Sequence, residues 1–327
     1  MSALFQINDL AVSFPGRDQT VYAVNGLSLA VEAGEWLGVV GESGSGKSVS
    51  LLASLQLLSA TSRIDRGQVW FDGRDLLRLK RRPLREILGR QIGVIFQNLA
   101  NGLDPSMRVG QQVMEPMLAH AICTKPEARR RALDLLTELG LSDPERQFER
   151  YPFELSGGMR QRAMMAVALA AEPALLIADE PTTALDTTVQ LQVLSVLQEA
   201  CRRRQMTVIM VTHDLGVATN VCDRVVVMYG GQVMENAEID TFIQASVHPY
   251  TQGLKGSMIP LNGTHAPIQA IEGSAEIFHQ VPRGCPFVAR CPVAFERCHT
   301  ERPRLLSLAD GHEAACHRVE EATARVG

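Results

Sequence analysis

Gly41-Glu42-Ser43-Gly44-Ser45-Gly46-Lys47-Ser48 follows the pattern G-x-x-x-x-G-K-[ST], whose chemistry is phosphate binding. Glycines let consecutive backbone N–H groups turn inward around phosphate oxygens, and a helix starting at the loop adds its partial positive charge. The cradle is expected to run from Gly41 to Val49, with Lys47 reaching the β- and γ-phosphates of a nucleoside triphosphate and the Ser48 hydroxyl binding Mg²⁺. A second acidic element, Asp179-Glu180, closes an apolar run at residues 175–178. At the carboxyl end of a strand, Asp179 would complete the Mg²⁺ shell and Glu180 would orient and deprotonate an attacking water. The third group is Cys285-x5-Cys291-x6-Cys298-x17-Cys316. Four thiolates suffice for tetrahedral Zn²⁺ or a [4Fe–4S] cluster, with unliganded buried thiols as the remaining reading. His299 and His317 flank them as candidate substitute ligands or solvated side chains.

These groups need elements to hold them. A short apolar strand at Trp36-Leu37-Gly38-Val39-Val40 runs into the glycine loop, and a helix is expected from Ser48 to about Leu58. Further buried-type strands are predicted at residues 94–96, 175–178, 208–211 and 225–229, separated by helical stretches. Strands alternating with helices indicate an α/β fold with a largely parallel sheet. From about Ser106 to Gln161 the sequence reads as helix formers without a strand, a helical insertion. Beyond about Pro260 it turns to Gly, Pro, His and Cys, a small appended module.

Composition limits the alternatives. The 327 residues carry 32 Lys and Arg against 36 Asp and Glu, a net charge of −4, with 46% hydrophobic and 21% charged residues. That is a globular composition, long enough for roughly two domains. The mildly acidic balance gives no support for nucleic-acid binding. The longest apolar run, residues 163–171, is about half of what a membrane helix needs. With no leader pattern at Met1-Ser2-Ala3-Leu4-Phe5-Gln6, a cytoplasmic location is expected. Seven Lys and Arg lie between Arg74 and Arg90, read as a solvated face or a contact for lipid headgroups.

Leu155-Ser156-Gly157-Gly158-Met159-Arg160-Gln161 resembles the signature sequence of ATP-binding cassette (ABC) ATPases. The resemblance extends to Gln97, to Ala184-Leu185-Asp186, to His213 after residues 208–212, and to Phe14. It implies a P-loop NTPase cassette of mixed, mainly parallel sheet plus an α-helical subdomain, binding ATP and Mg²⁺. Gln97 would act at the Mg²⁺ and in catalysis, His213 as a switch histidine, and Phe14 as the aromatic stacked on adenine, with Tyr22 as a nearby competitor. Ser156, Gly157 and Gly158 would meet the γ-phosphate held by another cassette. One copy of each motif therefore implies a second ATPase subunit, read as a heterodimer.

The resemblance sharpens to the dipeptide, oligopeptide and nickel importer family. It rests on residues 151–162 and 178–186, on His248-Pro249-Tyr250-Thr251, and on Pro282-Arg283-Gly284-Cys285, Arg290-Cys291-Pro292 and Cys298. It implies an ATPase domain at residues 1–259, with its helical part at about 106–161, and a Cys-rich extension at 260–327. Two transmembrane permease subunits, a solute-binding protein and a peripheral place on the cytoplasmic face of the membrane are implied as well. A soluble ABC ATPase of the repair or translation type is the alternative. The sequence departs from the family at Asn98, Leu99 and Gly102-Leu103-Asp104-Pro105, in the loop that normally meets the membrane subunit, and near Ile271-Glu272-Gly273-Ser274.

Overall fold

Two short all-buried runs, Trp36-Leu37-Gly38-Val39-Val40 and Leu175-Leu176-Ile177-Ala178-Asp179, mark the sheet interiors from which the functional loops leave. The structure, a computed structural model, describes residues 3–97, 102–182, 187–257, 271–309 and 311–324. The chain divides into two units. One comprises Met1–Val31, Trp36–Leu77 and Thr212–Gly327, and the other Glu32–Glu35 and Arg78–Val211.

In the first unit, β1 (Phe5–Pro15), β2 (Thr20–Val31), β4 (Arg63–Phe71) and β5 (Arg74–Asp75) form an antiparallel sheet of order β2-β1-β4-β5. Alternation along β2, with Leu27, Leu29 and Val31 buried, is the period-two signal of such a sheet. A second sheet orders β3 (Trp36–Val40), β9 (Arg224–Tyr229), β10 (Gln232–Glu238), β12 (His312–Ala314) and β11 (Leu306–Ala309). The β3–β9 pair is parallel, with Leu37 opposite Arg224 and Val40 opposite Val227. The β10–β9 and β10–β12 pairs are antiparallel, so two strands of the tail extend the sheet that carries the glycine loop. The core beside them joins Val40, Val225, Val227, Tyr229, Phe242, Tyr250 and Phe287.

The tail is also tied in by a buried carboxylate. Glu235 of β10 is fully buried, and its oxygens take the N–H groups of Val247 at 2.8 Å and His248 at 3.1 Å and lie 2.8 Å from His312 Nε2 of β12. A carboxyl group buried at this depth needs hydrogen-bond partners, and these three supply them.

In the second unit β6 (Ile92–Ile95), β7 (Leu175–Asp179) and β8 (Thr207–Thr212) pair in parallel. Phe96, expected at the end of the first of these strands, lies beyond it and is exposed. Between β6 and β7 the described regular elements are helical: Val109–Ala119, Lys125–Glu138, Pro144–Phe148 and Gly157–Leu169, with a 3-10 turn at Pro152–Glu154. Lys125–Glu138 forms because Pro126 and Glu127 suit a first turn and Ala128, Ala132, Leu135 and Leu136 fall on one face, the buried one. Among the described residues no helix is long and apolar enough to cross a membrane.

Candidate active site

The glycine loop fits its place because backbone closes in on both sides. Gly41 has φ +149°, and a Cβ there would lie 2.3 Å from the Met228 carbonyl oxygen. Gly46 has φ +96°, and a Cβ there would lie 2.5 Å from the Ala23 carbonyl oxygen. The Gly231 N–H donates to the Ser45 carbonyl at 2.9 Å, pinning the loop to the β9–β10 turn. Lys47 is buried, and its Nζ donates to the carbonyls of Gly41 at 2.7 Å and Glu42 at 2.9 Å. The ammonium thus lies across the loop that Ser43, Gly44, Ser45 and Gly46 complete. The helix that follows, Lys47–Ser54, carries Ser48 and Val49 in its first turn and has no side-chain cap. It stops about a turn before the expected Leu58, because Gln56 takes a left-handed φ of 55°.

Other expected residues of this unit are placed as follows. Phe14 and Tyr22 are both half-buried near the turn that joins β1 to β2, Phe14 opposite Val21 and Tyr22 opposite Ser13. His213 is exposed just past β8, before Asp214, whose carboxylate caps the helix Leu215–Val221 by accepting from the Val217 N–H at 3.1 Å. The motif His248-Pro249-Tyr250-Thr251 starts the helix Pro249–Gly256, and His248 Nδ1 accepts from the Tyr250 N–H at 3.1 Å. That acceptor role needs a neutral ring. Burial holds His248 in this form by pushing its pKa down to about 4.

In the second unit, β7 delivers Asp179, buried, and then Glu180, whose φ of 47° is left-handed. Its N–H donates to the Val211 carbonyl at 2.9 Å. Such a conformation at a non-glycine residue costs on the order of 1–2 kcal/mol and is characteristic of functional turns. Gln97, two residues past β6, donates from Nε2 to Glu180 Oε2 at 2.9 Å, which brings two of the expected site residues together. Ser156 caps the signature helix Gly157–Leu169, its Oγ accepting from the Met159 N–H at 3.3 Å, with Gly157 and Gly158 in the first turn. Buried Gln161 donates from Nε2 to the Pro181 carbonyl and links this helix to the acid-ended strand. Ala184, Leu185 and Asp186, and also Asn98 and Leu99, lie outside the described residues.

Cys285, Cys291, Cys298 and Cys316 all line one cavity of about 20 Å³, together with Phe287, Val293 and His317. Burial pushes the Cys285 thiol up to about 12 and raises that of Cys291 as well. His317 is also engaged outside the cavity, with Nε2 2.9 Å from the Glu301 carbonyl. His299 is exposed. Among the described residues, no group of three or more His, Cys, Asp or Glu is arranged to hold a metal ion. The four thiols share the lining of this cavity.

What the sequence did not reveal is a contact on Glu42. The Tyr250 hydroxyl accepts its N–H at 2.9 Å, and Arg290 pairs with its carboxylate at 2.5 and 3.0 Å. The expected cradle residue thus has its side chain engaged by the tail. The partners lie 208 and 248 residues away along the chain, and no local pattern reports such a pair.

A glycine loop between strand and helix with a buried lysine, and a separate strand ending in paired acids, define a P-loop nucleoside triphosphatase. Comparison with known proteins narrows the class. The family described as ABC transporter matches residues 24–183, and that described as oligopeptide/dipeptide transporter, C-terminal region, matches residues 234–298. The oligopeptide transport ATP-binding protein AppD of Bacillus subtilis is 40% identical over 322 residues, covering 98% of each chain. OppD of Salmonella typhimurium, of the same description, is 43% identical, with 98% of this chain and 95% of that protein covered. The dipeptide transport ATP-binding protein DppD of Escherichia coli is 39% identical, with 96% of each covered. Among solved structures, a dimeric ATP-binding cassette in a post-hydrolysis state with ADP and Pi is similar at a TM-score of 0.65 and 29% identity, over 72% of this chain and 98% of that one. The chain belongs to the ABC transporter ATP-binding proteins, in the group that carries the oligopeptide/dipeptide transporter C-terminal region.

Proposed function

We propose that this protein is the ATP-hydrolysing subunit of a membrane importer for peptides, or for nickel or a related small solute. ATP is bound between the phosphate loop of this chain and the signature sequence of a partner cassette. The observation that carries the chemistry is the 2.9 Å contact from Gln97 to Glu180, which sets a carboxylate and its orienting amide at the end of the acid strand. The names of relatives similar over nearly the whole chain support the transport role and do not favour a soluble repair or translation ATPase.

Mg²⁺, when bound, neutralises charge on the β- and γ-phosphate oxygens, and Ser48, Asp179 and Gln97 would hold it. Asp179 is buried with its carboxylate at a strand end, and Gln97 and Glu180 are already in contact, a donor set of oxygens that suits this ion. Gly41 to Val49 bind the phosphates, Lys47 turning from the loop carbonyls to the β- and γ-oxygens. Glu180 takes a proton from the attacking water as its oxygen bonds to the γ-phosphorus and the bridge to ADP breaks. His213 acts at the γ-phosphate, Phe14 stacks on adenine, and Ser156, Gly157 and Gly158 offer a capped helix start to the γ-phosphate of the partner's ATP.

A second ATPase subunit in a heterodimer, two permeases and a solute-binding protein complete the assembly at the cytoplasmic face of the membrane. Residues 1–259 serve as the ATPase domain, with the helical part at 106–161, and 260–327 as the extension. Its four cysteines would hold a [4Fe–4S] cluster, with Zn²⁺ as the other occupant. What supports a shared ligand is that all four cysteines line one cavity, the number of thiolates that either group takes. The test is turnover of the assembled transporter: Glu180→Gln should keep ATP binding and lose at least about a hundredfold in phosphate release, while Lys47→Ala should lose nucleotide binding. Normal turnover by Glu180→Gln overturns the assignment.

A further inference from the structure

Glu42 is held from two directions. Its N–H donates to the Tyr250 hydroxyl at 2.9 Å, and its carboxylate accepts Nη1 of Arg290 at 2.5 Å and Nη2 at 3.0 Å. Arg290 is fixed in its turn. Nε donates to the Glu272 carbonyl at 2.9 Å, Nη2 to the carbonyls of Gly273 at 3.1 Å and Ile271 at 3.4 Å, and Nη1 to the Tyr229 hydroxyl at 3.4 Å. The Arg290 side chain is 7% exposed and that of Glu42 28%. A guanidinium so fully used and so nearly dry has one orientation, and its two-pronged grip transmits that orientation to the carboxylate.

The Glu42 carbonyl is also one of the two that hold Lys47 Nζ, at 2.9 Å. Displacing Glu42 therefore displaces an anchor of the phosphate lysine. We propose that Arg290 is a positioning residue of the phosphate loop: by fixing Glu42 it holds the loop, and Lys47 with it, in the shape that ATP meets. The tail thereby sets nucleotide affinity from outside the loop. The inference rests on the ATP reading of that loop.

The test is calorimetric titration of the full-length chain with Mg·ATP, together with KM and kcat of the assembled transporter. Arg290→Gln should weaken ATP binding on the order of tenfold and raise KM by a similar factor, with kcat changed far less. Arg290→Lys, which keeps the charge without the fork, should recover part of the loss. Glu42→Gln, which alters no residue of the tail itself, should weaken binding to a similar extent even if Arg290→Gln disturbs the tail. The double variant should be no worse than either single one. Wild-type affinity and KM in folded Arg290→Gln, or strictly additive losses in the double variant, overturn the proposal. If Lys47→Ala binds ATP as the wild type does, the ATP reading itself fails. If Lys47→Ala loses binding while Arg290→Gln and Glu42→Gln do not, only the role of Arg290 falls.

Discussion

One added methyl group can separate the two reasons for glycine in the phosphate loop. Gly44 has φ +81° with nothing within 4 Å of a built Cβ, whereas Gly46 has φ +96° with the Ala23 carbonyl oxygen at 2.5 Å and Gly231 Cα at 3.2 Å. Alanine at 44 then meets conformational strain alone, about 1–2 kcal/mol for a left-handed L residue. Alanine at 46 meets the same strain and must also open a backbone contact by more than half an ångström, a further 1–3 kcal/mol by the usual cost of overpacking. Both substitutions restrict the unfolded chain equally, so that contribution cancels between them. Urea unfolding of the chain without nucleotide should show Gly46→Ala less stable than Gly44→Ala by about 1–3 kcal/mol, with similar slopes. The clash must be relieved by moving Lys47 and Ser48 away from β2, so ATP affinity should fall in the same order. Equal stabilities of the two variants, or a larger loss at 44, would refute the steric account of this loop.

Two further outcomes are expected. In the second unit Arg204 donates to both carboxylate oxygens of Glu138, at 2.8 and 2.6 Å, and holds its pKa below the usual range. The pair's stabilisation is therefore present above the unfolded pKa of about 4.5 and is lost as pH falls through the lower folded value. Arg204→Gln should cost about 1 kcal/mol near neutrality, and acid should shrink its difference from wild type; a constant difference between pH 7 and pH 3 would count against the linkage. Anaerobically purified protein should be brown, with visible absorbance that Cys291→Ser removes, and a colourless chain with stoichiometric zinc would sink the cluster.

The buried strands were legible because β7 and β8 are apolar at nearly every position, a signal of strands covered on both faces. The phosphate loop was legible because its glycines and lysine are contiguous. Glu180 was legible as the second acid at the end of an apolar strand, whereas Gln97 was legible only through resemblance, and 83 residues separate the two. The left-handed turn at Glu180 could not be read from residue type, because glutamate rarely adopts it and the flanking strands impose it. The tail strands were missed for a different reason. β12 spans three residues and β11 four, too few for an alternation to show, and their pairing is dictated by β10 and by Glu235 rather than by local propensity.

The β12 strand has a consequence for how this protein meets other chains. It pairs Ala314 with Glu235 and Glu313 with Asn236, on the side of β10 that β9 leaves open. Without it and the Ala315 N–H that bonds the Met234 carbonyl, Met234, Glu235 and Asn236 would sit on a sheet border with unsatisfied N–H and C=O groups, a template for adding any extended chain. The tail thus acts as a selvedge that keeps the sheet from growing. Shortening the chain to a bare cassette would exchange a finished border for an adhesive one, and recombinant fragments ending near residue 257 should precipitate for reasons unrelated to ATP.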